Sequence, residues 1–304
     1  MRERGGRAPT VRRPASNRAG PRTGDPRRKR RSPSHMELKE VIGRRRTIRI
    51  FVPYRPVERE KVQKMLEAAR RASCAGNVMN VRAIVIWREQ ADPKVIKAIA
   101  PRIGYQQMHT APVFIFWYSE SSVYHGDAWP DSVLRLADAR RIGLRVEDTY
   151  AEVNDKLRPM FLMAGQQMGV APLAFMDVGQ AVAQATLVAY EEGLGSCLMS
   201  SPRLEKVAKM FNLPETAVPI CVQALGYPAE SWEAGGQTPK PALGEMFFDM
   251  EVGKPFASDP KVEDELKAAK LIDEPAPLPW RDAELEFLMR ALGLENTLLN
   301  EVDP

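Results

Sequence analysis

The sequence predicts an α+β protein in which a few buried strands are covered by helices. Apolar residues recur at helical spacing through most of the chain, and two short runs, 83–87 and 113–118, are continuously apolar, as buried strands are. Helical stretches outnumber the strands, which argues against a regular alternation of strand and helix. At 304 residues, 44% of them hydrophobic, the chain is long enough to bury a sizeable core.

The elements of the first half follow from apolar spacing and from the residues between them. Leu38, Val41 and Ile42 predict a short helix, and Pro56 opens a second one, because proline suits a first turn. In order, the predicted elements are a helix around 38–42, a helix from 56 to 69, a strand at 83–87, a helix from 93, a strand at 113–118 and an irregular segment over 119–150.

The second half is dominated by the run 177–192, which is apolar around much of its circumference, as a central helix is. Gly193 and Gly195 follow it and suit a helix stop. The remaining predicted elements are a helix at 157–168, a helix at 202–211, a strand at 219–226, a turn-rich segment at 227–241 and two amphipathic helices at 261–272 and 282–292.

Composition excludes several classes of protein. No apolar run approaches the roughly 20 residues of a membrane-spanning helix, which predicts a soluble protein without a membrane partner. Cys74, Cys197 and Cys221 lie far apart without metal-ligand spacing, so we expect packing residues and no metal site. An odd number of cysteines without a secretory signal predicts a reducing, cytoplasmic location. Hydrolase and nucleotide-triphosphatase motifs are missing.

The chain divides by charge. Residues 1–35 carry a net charge of +10 and the remainder −5, so the basic balance belongs to the tail. Because the tail lacks Leu, Ile, Phe, Trp and Tyr, we expect disorder there. Three interpretations remain: an upstream extension before a start at Met36, which is favoured, a solvated tail, and a nucleic-acid-binding arm, which is disfavoured. The predicted domains are the tail at 1–35, a body at 36–258 and a C-terminal helical extension at 259–304.

The run Arg45–Arg49, here named the arginine segment, is the first candidate site. In an extended chain Arg45, Thr47 and Arg49 point to one side and offer two guanidiniums and a hydroxyl to one phosphate. The alternative is a set of solvated arginines that complement the dipole of the preceding helix. The residues alone leave both interpretations open.

The arginine segment, the 72–81 stretch, the Gly193–Cys197 turn and Leu225–Glu230 together resemble the FMN-dependent nitroreductase family. That family carries an Arg-x-Ser-x-Arg segment that holds the FMN phosphate, and Thr47 stands for its serine. The resemblance implies a nitroreductase-like sandwich, with a small, mostly antiparallel sheet flanked by helices, in an intertwined homodimer. It spans roughly residues 37–247, of which 119–165 carry no recognisable motif.

The resemblance also assigns the other cofactor contacts. The 72–81 stretch matches the family loop along the flavin ring, although Cys74 and Met79 replace its usual Ser and Gln. A backbone amide at Ser200 or Ser201 is implied near flavin N5, and a basic residue after Leu225–Glu230 is implied at the phosphate. The implied cofactor-binding residues are Arg45, Arg46, Thr47, Arg49, Cys74, Ala75, Asn77, Met79, Ser200, Ser201 and Lys240.

By this resemblance the chain is an FMN enzyme that takes a hydride from NADH or NADPH by a ping-pong mechanism. The implied acceptor is a small molecule such as a nitroaromatic or a quinone, and no catalytic acid or base is implied. The alternatives are a divergent enzyme of the same fold (dehydrogenation, dehalogenation or flavin fragmentation) and a non-enzymatic flavin-binding protein. His125 and Trp129, in the motif-free middle, are candidates for substrate contact.

Overall fold

The protein is built around one antiparallel sheet. The computed structural model describes residues 36–200 and 204–300, all within one unit of the chain. The strands are ordered β1-β2-β4-β3 across the sheet, and each neighbouring pair is antiparallel. Their bounds are β1 Val81–Trp87, β2 Val113–Glu120, β3 Gly195–Met199 and β4 Ala217–Gly226.

Helices supply the rest of the regular structure in the described ranges. In chain order they are α1 Leu38–Arg44, α2 Arg59–Arg70, α3 Pro93–Ile99, α4 Tyr105–Thr110, α5 Ala128–Asp138, α6 Val146–Glu152, α7 Arg158–Met168, α8 Pro172–Glu191, α9 Leu204–Met210, α10 Leu243–Met246, α11 Pro260–Ala268 and α12 Arg281–Leu292. Among these helices, none is both long and apolar enough to cross a membrane.

The sheet is buried on both faces. Along β2, Phe114 and Phe116 pack into the core on one face, whereas Val113, Ile115 and Trp117 pack into the core on the other. Successive side chains of a strand point to opposite faces, so a continuously apolar run fits a strand covered on both sides. Helices α3, α4 and α9 contribute to the first core, and α2 and α8 to the second. The predicted α+β class is confirmed.

The segment 119–150 was predicted to be irregular, and this is wrong. It contains α5 and α6, with Trp129, Leu134 and Ala137 of α5 buried against the body. Pro130 and the nearby glycines resemble loop punctuation, but Pro130 lies in the first turn of α5, where proline costs no hydrogen bond. Helix α4 and strand β3 were also missed, and α8 begins at Pro172, five residues before the predicted start.

The C-terminal extension packs back onto the body. Helices α11 and α12 were predicted, and Gly293 ends α12 in the left-handed conformation with φ of 62°. Leu288 of α12 is buried against Ile50 and Ala229, with Leu285 and Leu292 beside it. The extension therefore covers the backbone immediately after the arginine segment.

Candidate functional site

The arginine segment lies in extended backbone at the β3 edge of the sheet. Thr47 forms a parallel bridge with Ser196 of β3, and the Ile48 amide donates to the Ser196 carbonyl at 3.0 Å. The chain that follows pairs with residues 227–229, where the Val52 amide donates to the Tyr227 carbonyl at 2.8 Å. Three of the four sequence motifs therefore meet at one place.

Side chains alternate along the arginine segment, as its extended backbone requires. Ile48 is fully buried, Ile50 is 3% exposed, and the Arg46 side chain shares their inward direction with 9% exposure. Arg45 and Thr47 are half-buried and Arg49 is exposed. The predicted grouping of two guanidiniums and one hydroxyl on the open side agrees with this alternation.

Arg46 differs from Arg45 and Arg49 because its guanidinium already donates hydrogen bonds to other groups of the chain. Its guanidinium donates to the Gly43 carbonyl and, at 3.2 Å, to the Gly236 carbonyl, and it lies 3.5 Å from the Asp273 carboxylate. Burial lowers the pKa of Arg46, while the Asp273 charge opposes that shift. These contacts tie the arginine segment to the C-terminal extension.

Arg45 is a half-buried cation without an anionic partner in the described part of the chain. In that part of the chain, neither the Arg45 guanidinium nor the Arg49 guanidinium forms an ion pair or a side-chain hydrogen bond. Burial lowers the pKa of Arg45, and the neighbouring Arg46 charge lowers it further. A partly desolvated cation of this kind is stabilised by an anion that arrives from outside the chain.

Glu230 organises the backbone of this region. It is 1% exposed; its Oε1 accepts from the Arg49 amide at 2.5 Å and from the Ile50 amide at 3.0 Å, and its Oε2 accepts from Arg281 at 2.6 Å. Arg281 also pairs with Glu284 at 2.8 Å. One carboxylate thus joins the arginine segment to α12.

The 74–80 loop forms a second cluster. The Ala75 amide donates to the Asp177 carboxylate at 2.9 Å, and the Met79 amide donates to the Cys74 sulfur at 3.4 Å. Asn77 and Met79 have positive φ angles of 59° and 56°, a left-handed conformation that asparagine tolerates but that methionine adopts only when the surroundings enforce it. Burial raises the pKa of the Cys74 thiol, which favours the neutral thiol over the reactive thiolate.

Asp177 holds this loop from within the core. It is 3% exposed on α8, and its Oδ2 accepts from the Ala75 amide and, at 3.4 Å, from the Tyr124 hydroxyl. Burial raises the pKa of Asp177. Burial and the adjacent carboxylate also raise the pKa of Tyr124. The Asp177 contact explains how the central helix fixes a loop distant from it in sequence.

Within one chain the arginine segment and the 74–80 loop do not come together. The loop leads into β1 at Val81, whereas the segment pairs beside β3 at Ser196, on the opposite edge of the sheet. Across the sheet, Ser196 of β3 pairs with Leu225 of β4, Leu225 pairs with Val113 of β2, and Val113 pairs with Trp87 of β1. Trp87 lies six residues along β1 from Val81. Three strand spacings across and six residues along separate Ser196 from Val81 by about 25 Å.

The remaining predicted residues lie near the arginine-segment edge or outside the described ranges. Ser200 is exposed directly after β3, and Ser201 falls in 201–203, outside the described residues. Lys240 is exposed, four residues after Gly236, whose carbonyl accepts from Arg46. Four residues span at most about 14 Å, so the backbone of Lys240 stays close to Gly236. No group of described His, Cys, Asp and Glu side chains could hold a metal ion.

Two cavities of the described structure differ in whether predicted site residues line them. One, of about 670 Å³, opens beside the 74–80 loop and is lined by Cys74, Asn77 and Met79 and by the arginines Arg70, Arg71 and Arg141. A larger cleft, of about 990 Å³, lies between α3, α4 and residues 295–300, and its lining includes no predicted site residue. Three of the four predicted ring-contacting residues, all except Ala75, therefore line one basic cavity.

Sequence reasoning missed the residues that support the site. Glu230 ends the Leu225–Glu230 motif and Asp177 begins the apolar run 177–192, but no role followed from either position. The acidic residue itself was a signal that could have been used. An Asp or Glu within an otherwise apolar or turn-forming motif is buried only when it is paired, so its presence indicates a partner elsewhere in the chain. Arg281 and Asp273 lie in the C-terminal extension, where no motif pointed to them.

Comparison with known proteins adds independent information. A model of the nitroreductase family matches residues 42–106 and 161–227. An NADH dehydrogenase of Thermus thermophilus is 28% identical over 198 residues, which cover 64% of this chain and 88% of that protein. A CLA biosynthesis enone reductase of Lactiplantibacillus plantarum is 25% identical over 198 residues, covering 64% of this chain and 87% of that protein.

Solved structures share the fold at low identity. A nitroreductase family protein of Streptococcus pneumoniae has a TM-score of 0.56 at 17% identity, covering 70% of this chain and 100% of that one. An Exiguobacterium sibiricum protein classed as a nitroreductase, in complex with FMN, has a TM-score of 0.53 at 19% identity, covering 73% and 100%. The matched segments and the order of the motifs confirm the predicted resemblance to the nitroreductase family, and the solved structures show that the fold is shared.

Proposed function

We propose that this protein is an FMN-dependent oxidoreductase that works as a homodimer with NADH or NADPH as its reductant. The observation that carries the proposal is the arginine segment, where Arg45 and Arg49 lack an anionic partner among the described residues and share the open side with Thr47. This donor set fits a phosphate, because guanidiniums and a hydroxyl supply charge-assisted hydrogen bonds to its oxygens. The names of the relatives support oxidoreductase chemistry.

The chain's own residues would hold and orient the cofactor. Arg45, Thr47 and Arg49 bind its phosphate, with Lys240 as a further cation, while the contacts of Arg46 within the chain brace the backbone between them. The loop residues Cys74, Ala75, Asn77 and Met79 lie along the ring. The backbone amide of Ser200, directly after β3, would stabilise negative charge at its reactive edge. When bound, FMN supplies the redox chemistry, taking a hydride from the nicotinamide and passing it to a small acceptor.

The separation between the two clusters supports the proposed homodimer. About 25 Å of sheet lies between the arginine segment and the 74–80 loop of one chain, more than the ribityl chain of FMN bridges between phosphate and ring. One cofactor therefore touches both clusters when a second copy supplies the loop. The surface supports this arrangement, because α7 and α8 expose apolar side chains that include Met160, Met163 and Met176.

Substitution of Met163 tests the dimer. Met163 is 81% exposed in one chain, so Met163→Glu should change the stability of an isolated chain by no more than about 0.5 kcal/mol. In a dimer the same carboxylate becomes buried, and we expect light scattering to show dissociation together with loss of bound FMN. Tyr54→Glu, at a site 82% exposed, is the matched control. A wild-type protein that is monomeric while it holds FMN contradicts the proposal.

The central claim is tested by the visible spectrum of the purified full-length chain and by anaerobic addition of NADH or NADPH. We expect a flavin spectrum that bleaches, then recovers with a nitroaromatic, a quinone or an α,β-unsaturated ketone; the ketone is included because one relative is an enone reductase. Bound flavin that neither nicotinamide reduces would favour a divergent chemistry or a flavin-binding protein without catalysis. Failure to bind FMN on reconstitution removes the proposal.

Replacing Arg45 should affect the free protein and the cofactor complex in opposite directions. Arg45→Gln removes a half-buried cation without an anionic partner in the described ranges, so the cofactor-free protein should be equally or more stable. The same change removes a charged hydrogen bond to phosphate and should raise the FMN dissociation constant by about 10- to 100-fold. Thermal unfolding and fluorescence titration measure the two effects.

Lys39→Gln, on the exposed face of α1, is the control for this experiment. It removes the same charge a few residues away and should leave FMN affinity unchanged. An Arg45→Gln protein with wild-type affinity would show that the arginine segment does not bind the phosphate.

A further inference from the structure

We propose that the cavity beside the 74–80 loop is a recognition site for an anionic group carried by the electron donor or by the acceptor. This inference rests on the proposed function, because the cavity is lined by Cys74, Asn77 and Met79, which are assigned to the flavin ring. A molecule that reacts at that ring would extend into this space. The chemistry of the other lining residues then decides which molecules are accepted.

The cavity carries an excess of positive charge. Arg70, Arg71 and Arg141 line it, and no carboxylate is found among its described lining residues. Glu67 lies nearby and is shared, since its Oε2 is 2.8 Å from Arg70 and 3.6 Å from Arg71. Arg141 forms no ion pair in the described ranges. One carboxylate against three guanidiniums leaves a field that attracts phosphate or carboxylate.

The backbone fixes Arg141 at this cavity. Helix α5 ends with the Arg140 amide donating to the Ala137 carbonyl at 2.9 Å and the Arg141 amide donating to the Leu136 carbonyl at 2.8 Å. Arg140 has a φ of 55°, which completes the pattern of a left-handed helix end. The backbone of Arg141 is therefore held in place, so only the Arg141 side chain has to become ordered when a ligand binds.

Helix α5 is also attached to the 74–80 loop. The Ser132 hydroxyl donates to the Gly76 carbonyl at 2.6 Å, and the indole of Trp129 lies 3.1 Å from the position of a Cβ on Gly76. The wall that carries Arg141 and the wall that carries Asn77 are thus joined by direct contacts. A cavity held in this way is preorganised for its ligand.

The recognition element lies outside the part of the chain that the nitroreductase family model matches. Arg141 and the apolar residues Leu136 and Ile142 line the cavity from within 107–160, which the nitroreductase family model does not match. Arginine beside Leu and Ile suits a ligand with one anionic group on an otherwise apolar or aromatic body. We therefore assign the choice of anionic substrate to α5 and the residues after it.

Two sources offer the required anion. NADPH carries a 2′-phosphate that NADH lacks, and an acceptor such as 4-nitrobenzoate carries a carboxylate that 4-nitrobenzamide lacks. Arg141→Gln should lower the kcat/KM of the anionic member of one of these pairs by about tenfold and leave its neutral or less charged counterpart within about twofold. Arg135→Gln is the matched control, because Arg135 is exposed on the same helix and does not line the cavity.

The outcomes separate the sources. A fall in the NADPH-to-NADH ratio identifies the 2′-phosphate, whereas a fall in the 4-nitrobenzoate-to-4-nitrobenzamide ratio identifies the acceptor carboxylate. If neither ratio changes, or if Arg135→Gln produces the same change, the inference is wrong. If neither nicotinamide reduces the wild-type protein, the proposed function fails. Calorimetry with adenosine 2′,5′-bisphosphate and with 4-nitrobenzoate, on wild type and both variants, then tests the anion site by itself.

Discussion

Replacing Glu230 with alanine is expected to lower the free energy of unfolding by about 3–5 kcal/mol, the range found when one partner of a buried ion pair is removed. The carboxylate is 1% exposed and accepts hydrogen bonds from the Arg49 and Ile50 amides and from Arg281. Its loss leaves the two amides without their acceptor and leaves Arg281 with Glu284 as its remaining carboxylate partner. Urea unfolding of the cofactor-free protein measures the change.

The same substitution should weaken FMN binding, although Glu230 does not face the open side of the arginine segment. Glu230 fixes the backbone at Arg49, and a phosphate site requires its donors in a defined geometry. We expect the affinity to fall at temperatures where the variant is still fully folded. This result would separate positioning of the segment from global loss of structure.

A double-mutant cycle makes the test specific to the ion pair. Arg281→Ala leaves Glu230 charged and buried, so the double variant Glu230→Ala/Arg281→Ala should lose less stability than the sum of the two single variants. Glu286→Ala, exposed on the same helix, is the control and should change stability by no more than about 0.5 kcal/mol. Strictly additive losses would show that the two residues act independently.

The alternation of the arginine segment was predictable from sequence because it depends only on extended backbone. Ile48 and Ile50 turn inward and leave Arg45, Thr47 and Arg49 on the open side. Arg46 illustrates what sequence cannot give. Its partners Gly236 and Asp273 lie about 190 and 230 residues away, and only the folded chain brings them to it.

Strands and helices were predictable where a local pattern determines them. Strand β2 is continuously apolar because both of its faces are covered, and α12 ends at a glycine in the left-handed conformation. Strand β3 has only five residues and follows a glycine-rich turn, so its identity comes from pairing with β4. The 74–80 loop is similar, because its conformation depends on the buried Asp177 of α8.

Gly43→Ala should also destabilise the protein, because the C-terminal extension lies directly against this glycine. A Cβ at position 43 would sit 2.0 Å from the Lys270 carbonyl oxygen and 2.3 Å from the Leu271 Cα, and neither backbone atom can rotate away. Forcing one extra carbon into such a contact costs about 1–3 kcal/mol and can cost more. Thermal unfolding of Gly43→Ala measures the loss, with Lys39→Ala on the exposed face of α1 as control.

The Gly43→Ala variant also tests whether the C-terminal extension positions the cofactor site or only covers a surface of the body. The Gly43 carbonyl accepts from Arg46, and the Gln237 side chain donates to the carbonyls of both Gly43 and Leu271. Displacing the extension therefore disturbs Arg46, which lies between the phosphate donors Arg45 and Thr47. If the extension positions those donors, Gly43→Ala should lower FMN affinity as well as stability, in the same sense as Glu230→Ala. Gly43→Ala and Glu230→Ala, on opposite sides of the arginine segment, would then both show that the extension positions the phosphate donors. Lowered stability of Gly43→Ala with unchanged FMN affinity would show instead that the extension only packs against the body.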